Sequence, residues 1–103
     1  NVAVVGASQN INPSTNYFEA SAGAAADILT ITPPSQTADA EVIILVCVDS
    51  NLTITDSGAG GAANTINLTA AFACTADDTL TLVFNPSPAA GNARWSEVAR
   101  AVQ

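Results

Sequence analysis

The sequence contains no His, no Lys and no Met, and only Arg94 and Arg100 are basic. Imidazole and amine side chains carry much of the proton-transfer and imine chemistry of enzymes. Without them the only strong bases are carboxylates, and no Gly-x-Ser-x-Gly nucleophile motif occurs. We therefore predict a non-enzymatic protein with no catalytic residues and no cofactor.

Basic charge is scarce: two Arg stand against nine acidic residues, which gives a net charge of -7. Proteins that bind phosphate backbones need many Lys and Arg to displace counterions, and anionic membrane surfaces also select basic segments. Nucleic acid and membranes are therefore excluded as predicted partners. The acidity is instead typical of a chain that must stay soluble despite 49% apolar residues.

Long hydrophobic runs are also missing. The longest, residues 42–48, is too short to span a bilayer, so no transmembrane segment is predicted. The chain starts with Asn1 and lacks Met. This start indicates either a processed precursor or numbering that begins after a leader, and the residues do not separate these alternatives.

Cysteine is limited to Cys47 and Cys74, both within apolar stretches. A single disulfide between them is one interpretation. A pair of free, buried cysteines that pack as small hydrophobic residues is the favoured one. No CxxC spacing or His accompanies them, so no metal site is predicted.

What remains is a pattern of short strands in a chain of 103 residues, which is enough for one domain. Alternating or β-branched stretches predict strands over residues 28–32, 42–48, 51–55, 65–69 and 79–84. The continuous run 42–48 is typical of a strand covered on both faces. We predict an all-β fold, an antiparallel sandwich or jelly-roll-like barrel.

The first 26 residues differ in pattern and are predicted to form an N-terminal arm, with residues 27–103 as the β domain. Val2, Val4 and Val5 form a short uncharged strand that could pair with a neighbouring subunit. An edge strand within its own domain is the alternative. The Ala-rich residues 20–28 also allow a helix, although Gly23 weakens it.

Residues 94–103 fit two structures. Trp95, Val98 and Val102 lie at i, i+3 and i+7, the spacing of a short helix. The Pro- and Gly-containing loop that precedes them indicates a hairpin, and we therefore favour a strand.

Four segments follow one another in a distinctive order: Asn-Leu-Thr-Ile-Thr-Asp at 51–56, Asn-Thr-Ile-Asn-Leu at 64–68, Asp-Asp-Thr-Leu-Thr-Leu-Val-Phe at 77–84 and Arg-Trp-Ser-Glu-Val at 94–98. Together they resemble the small β domains of tailed-phage virion proteins. Such domains serve as capsid decoration (cement) proteins, head fibres and tail-fibre tips. The resemblance covers roughly residues 28–100.

The resemblance implies a virion surface protein that associates with itself, as a trimer, and with the major capsid or another virion protein. Val2, Val4, Val5 and Trp95 are the predicted partner contacts. A secreted filament or adhesin subunit that exchanges its N-terminal strand is one alternative. A carbohydrate-binding module with Trp95 or Tyr17 as a stacking platform is another.

Polar candidates are few. Asp77 and Asp78 are adjacent, so on a strand they would point to opposite faces, and we interpret them as a solvated turn. Asp49, Asn51 and Asp56 carry the oxygen ligands that calcium prefers, without the spacing of a calcium loop. Sequons at Asn51 and Asn67 matter only in a glycosylating host.

Overall fold

A computed structural model describes the backbone of residues 2–5, together with residues 9–35, 40–58 and 61–103. Within these ranges the chain forms eleven strands and no α-helix, which confirms the all-β prediction. The strands assemble into three sheets of six, three and two strands.

The six-stranded sheet has the strand order β1-β3-β6-β10-β11-β8. The strands span Val2–Val5 (β1), Tyr17–Ala22 (β3), Glu41–Cys47 (β6), Thr65–Asn67 (β8), Thr79–Asn85 (β10) and Arg94–Ala101 (β11). Its central strand pairs, β6 with β10 and β10 with β11, are antiparallel.

The other two sheets are small. They consist of β4 with β7 and β9, and of β2 with β5. These strands span Asn10–Ile11 (β2), Ala26–Ile28 (β4), Thr30–Ile31 (β5), Leu52–Ile54 (β7) and Phe72–Ala73 (β9). The predicted strand 28–32 is thus divided between the two small sheets.

Strand direction differs from the prediction of an antiparallel fold. Five of the eight described pairings are parallel: β1 with β3, β3 with β6, β11 with β8, β2 with β5 and β4 with β7. Parallel neighbours need crossover connections, and the segment between β3 and β6 passes through β4 and β5 in the small sheets. The fold is a mixed β structure compatible with a sandwich.

One hydrophobic core lies between the six-stranded sheet and the small sheets. Strand alternation supplies it: Leu80, Leu82 and Phe84 on β10 are buried, as predicted. Leu52 and Ile54 on β7 face the same core. The largest fully buried side chains are Trp95, Phe18 and Phe72.

The last strand, β11, confirms the predicted strand and excludes the helix for residues 94–101. Its pairing with β10 shifts register: Thr81 lies opposite Ala99, whereas Leu82 lies opposite Glu97. Val98 is therefore the extra residue of a β-bulge. The bulge also explains the spacing that suggested a helix, because it breaks the alternation of the strand.

A disulfide joins Cys47 and Cys74, with 5.6 Å between their Cα atoms. The favoured interpretation of two free cysteines was therefore wrong. Cys47 ends β6 in the large sheet, and Cys74 directly follows β9 in a small sheet. The bond links the two layers covalently at one end of the core.

The N-terminal residues contribute strands to the same sheets. β3 lies between β1 and β6, and its Phe18 is fully buried. Residues 20–28, where the sequence also allowed a helix, belong to β3, a turn and β4. The boundary between residues 26 and 27 stays a prediction, although a division there separates the paired strands β3 and β6.

Candidate functional site

The six-stranded sheet has one face turned away from the core, which we call the outer face. We define it by the outward positions of β3, β6, β10 and β11. These positions are Tyr17, Glu19, Ser21, Val42, Ile44, Val46, Thr79, Thr81, Val83, Asn85, Arg94, Ser96, Val98, Ala99 and Ala101. No element of the described chain covers this face.

Strand β6 is apolar on both of its faces. Inward, Ile43 and Leu45 are fully buried, whereas outward Val42 is 50% exposed and Ile44 is half-buried. The sequence predicted a strand covered on both faces, and in the single chain this prediction was wrong. A strand of this composition with one open face indicates a surface made to be covered.

Cross-strand rows continue this apolar surface across the sheet. Ile44 pairs with Tyr17 on β3 and with Thr81 on β10, and Thr81 pairs with Ala99 on β11. Tyr17 is 61% exposed and lies at one end of this row. The row joins four strands without a charged residue.

Two charged residues occupy outward positions of these four strands, Glu19 and Arg94. Glu19 lies on β3 in the row of Val46. Arg94 lies on β11 opposite Asn85, three rows away along the strands. The opposite charges therefore lie on the first and the last of these four strands, three rows apart, and we call these two positions the charged corners of the outer face.

Trp95 lies in the core and not on a surface. Its side chain is fully buried, its Nε1–H donates a hydrogen bond to the Ile31 carbonyl oxygen at 2.8 Å, and its ring centroid is 4.9 Å from that of Phe84. The prediction of a partner contact at Trp95 is corrected accordingly, because the buried indole has no surface to offer. Its role is to join β11 to β5.

The other predicted partner contacts, Val2, Val4 and Val5, belong to β1, whose backbone pairs in parallel with β3 from Val2 opposite Glu19 to Val5 opposite Ala22. The segment therefore forms an edge strand of its own domain, which was the alternative to pairing with a neighbouring subunit. The side chains of these valines lie outside what the structure describes.

The oxygen-rich residues considered for calcium bind backbone groups of their own chain. Asp49 accepts hydrogen bonds from the Ala22 and Asn51 N–H groups. Asp56 accepts from the N–H groups of Gly58 and Leu68, and these bonds, led by Leu68, lower the pKa of Asp56. Among residues 9–35, 40–58 and 61–103 no three Asp, Glu, His or Cys side chains come together as a metal site.

The acidic pair after β9 was predicted to be a solvated turn, which is correct only for Asp77. Asp77 is exposed with a positive φ of 71°. Asp78 is buried and accepts hydrogen bonds from the Gln103 N–H and from Thr75. The Gln103 bond is the main cause that lowers the pKa of Asp78.

The ion pair of Arg100 and Glu97 has 2.7 Å between Nη2 and Oε1. The bulge at Val98 places both side chains on the inner side of β11, where Arg100 stacks over Phe72 at 5.2 Å. Hydrogen bonds from Arg100, and weaker ones from Thr69, lower the pKa of Glu97 to about 2. The pair thus links β11 of the large sheet to Thr69 and to Phe72 of the small sheet at the edge of the core.

The remaining candidates are the two sequon asparagines and the aromatic residues considered for sugar binding. The Asn51 side chain donates to the Ala22 carbonyl oxygen at 2.6 Å, so this sequon asparagine is engaged inside the fold. Asn67 is half-buried on β8. With Trp95 buried, Tyr17 is the remaining aromatic platform for a sugar.

The described parts of the chain contain no pocket for a small molecule. No helix there is long and apolar enough to cross a membrane. Comparison with protein-family models, curated proteins and solved structures gives no match. Function must therefore be inferred from the outer face itself.

Sequence reasoning missed Glu19 and Arg94 because only strand order and register bring them to one face. The apolar run of β6 did predict a second covered face. Because β6 lies inside the sheet, between β3 and β10, this second face could only be covered by another layer or another chain. For the disulfide, no local signal distinguishes paired from free cysteines.

Proposed function

We propose that this chain is a non-enzymatic structural module of a virion surface, either a capsid decoration (cement) protein or a short fibre or knob protein. It would stabilise or decorate the particle by burying the outer face against other protein subunits. The observation that carries the proposal is the open apolar face of β6, whose outward residues Val42 and Ile44 pair with the uncharged Val83 and Thr81 of β10.

Three further features support an assembly role outside the cell. The Cys47–Cys74 disulfide is typical of proteins that work in oxidising surroundings. Thr79 and Thr81 keep the outer face hydrated before assembly. The net charge of -7 keeps the free subunit from associating without specificity.

The proposal includes self-association, with a trimer as the expectation from the resemblance, and contact with a major capsid or other virion protein. A jelly-roll-like arrangement of the strands belongs to the same proposal, as does the use of β1, the first strand of the predicted N-terminal arm, to reach other copies. Such an arm would raise avidity when many copies bind one particle.

The location can be tested directly on particles purified from the source of the sequence. Antibodies raised against the recombinant protein should label the outside of intact particles in immunogold electron microscopy, and pre-adsorption with the antigen should remove the label. Detection of the protein only in particle-free fractions would contradict the proposal.

A second test concerns the surface that is used. Recombinant protein is added to particles that lack it, and bound protein is measured after sedimentation. Val42→Glu places a charge on the outer face and should abolish binding. Leu29→Glu makes a similar change at an exposed residue between β4 and β5 and should leave binding intact.

The alternative function is a subunit of a secreted filament or adhesin that assembles by strand exchange. The position of β1 at one edge of the six-stranded sheet favours it, because a terminal edge strand can be donated to a neighbour. A chain without residues 1–5 should then fail to polymerise and should bind a synthetic peptide of those residues. Unchanged association of the truncated chain would exclude strand exchange.

A further inference from the structure

We infer that the occupant of the outer face is a second copy of this chain, related by a two-fold axis that lies between the two facing sheets. The inference rests on the proposed use of the outer face for assembly. It adds the partner, the symmetry and the contacts that determine them, and it replaces the trimer that the resemblance implies by a two-fold dimer of the free chain.

The first argument is charge. The centre of the outer face carries Ile44, Val46, Thr81 and Val83 and no charge. A charged partner surface would lose its hydration against this centre without gaining an opposite charge, so an uncharged partner surface fits it best. The outer face of a second copy is such a surface.

The second argument is the arrangement of the two charged corners. Glu19 and Arg94 lie on the first and last of the four strands, and a two-fold axis in the plane between the sheets, perpendicular to the line that joins these residues, brings each position opposite the other. Glu19 of each copy then lies opposite Arg94 of the other. This is the self-complementarity that a two-fold interface demands.

Size sets the expected affinity. Four strands spaced about 4.8 Å apart, each rising about 3.3 Å per residue over about seven residues, cover about 440 Å² per copy. Two facing copies would bury about 900 Å², which is at the low end for specific interfaces. We therefore expect a reversible dimer with a Kd on the order of 100 µM.

The test uses the full chain in sedimentation equilibrium from micromolar concentration to about 1 mM, with Kd as the readout. Three variants are compared with the wild type: Glu19→Arg, Arg94→Glu and the double variant. Each single variant should weaken the dimer about tenfold, and the double variant should restore it.

Net charge alone makes a different prediction. Glu19→Arg changes the charge from -7 to -5 and Arg94→Glu changes it to -9, whereas the double variant keeps -7. Simple repulsion between acidic copies would therefore make Glu19→Arg associate more tightly. Weakening in both single variants with recovery in the double variant identifies the corner pairing.

Arg94 also donates hydrogen bonds to the carbonyl oxygens of Ala90 and Asn92, so Arg94→Glu can disturb the preceding loop. Far-ultraviolet circular dichroism checks the fold of each variant. Val42→Glu gives a separate test and should weaken the dimer at least tenfold, with Leu29→Glu as the matched control outside the face.

A chain that stays monomeric up to about 1 mM overturns the inference, as does a trimer or a dimer that all three face substitutions leave unchanged. These results come from the isolated protein. A dimer that is absent from virions would contradict the proposed function alone, whereas surface-labelled virions with a monomeric free chain would contradict the two-fold dimer alone.

Discussion

Replacing Glu97 by Gln should destabilise the protein strongly at neutral pH and hardly at all at pH 2. Glu97 accepts hydrogen bonds from Arg100 and Thr69, and its side chain is only 9% exposed. These bonds favour the charged carboxylate and lower its pKa from 4.5 to about 2. Gln keeps the shape of the side chain and removes the charge.

The magnitude follows from the pKa difference of Glu97. The fall from 4.5 to about 2 is about 2.5 pH units, and at about 1.4 kcal/mol per unit it corresponds to about 3 kcal/mol of unfolding free energy. Because the folded-state pKa is depressed, this stabilisation is fully present above pH 4.5 and is lost as the pH falls toward 2. At pH 3 about 1.4 kcal/mol should remain.

Urea unfolding at pH 7, 3 and 2, followed by tryptophan fluorescence, measures the difference between wild type and Glu97→Gln. Only this difference is interpreted, since Asp56 and Asp78 also have lowered pKa values and weaken the wild type in acid. Asp27→Asn, at an exposed position of β4, is the control and should change stability little at any pH. A difference that is absent at pH 7, or equal at pH 7 and 2, would refute the reasoning.

Three further predictions concern the core and its margins. Replacing Cys47 and Cys74 by Ser should lower the unfolding free energy by about 3.5 kcal/mol, because the disulfide closes a loop over a sequence separation of 27 residues and so restricts the unfolded chain. Urea unfolding of the reduced wild type should give the same value as the variant. Trp95→Phe should cost about 2 kcal/mol by leaving a buried carbonyl without its donor, measured by thermal unfolding; an unchanged Tm would contradict the importance of the indole hydrogen bond. Gly61→Ala should cost about 1–2 kcal/mol because its Cβ would lie 2.5 Å from a threonine hydroxyl, whereas Gly23→Ala, with nothing within 4 Å, should be neutral.

Local alternation made the firmest part of the fold predictable. In β10 the sequence places Leu80, Leu82 and Phe84 two residues apart, and all three are buried on one face. This pattern needs no knowledge of the rest of the chain because successive side chains of any strand point to opposite sides.

Strand direction was not predictable in the same way. The parallel pairing of β3 with β6 is set by how the segment between them crosses to the small sheets, which no residue pattern within either strand encodes. Likewise, the bulge at Val98 changes the spacing of β11 so that Trp95 and Val98 resemble helix neighbours. Pairing with β10 decides the structure of this segment.

The sequence predicted the apolar part of the candidate site and not its charged residues. The β-branched residues of β6 indicated coverage on both faces, and this signal points to the outward positions Val42 and Ile44. Glu19 and Arg94 are 75 residues apart in the chain, and only strand order and register place them on the same face. Trp95 was considered a contact because sequence alone does not give its depth.

The Cys47–Cys74 bond also determines how the protein responds to mechanical force. A pull on the two chain ends cannot extend the residues between the two cysteines, which include β7, β8 and β9. With a sequence separation of 27 residues, about 90 Å of contour length stays hidden until the bond is reduced. A domain pulled by its two ends would therefore extend over a much shorter distance than its chain length suggests.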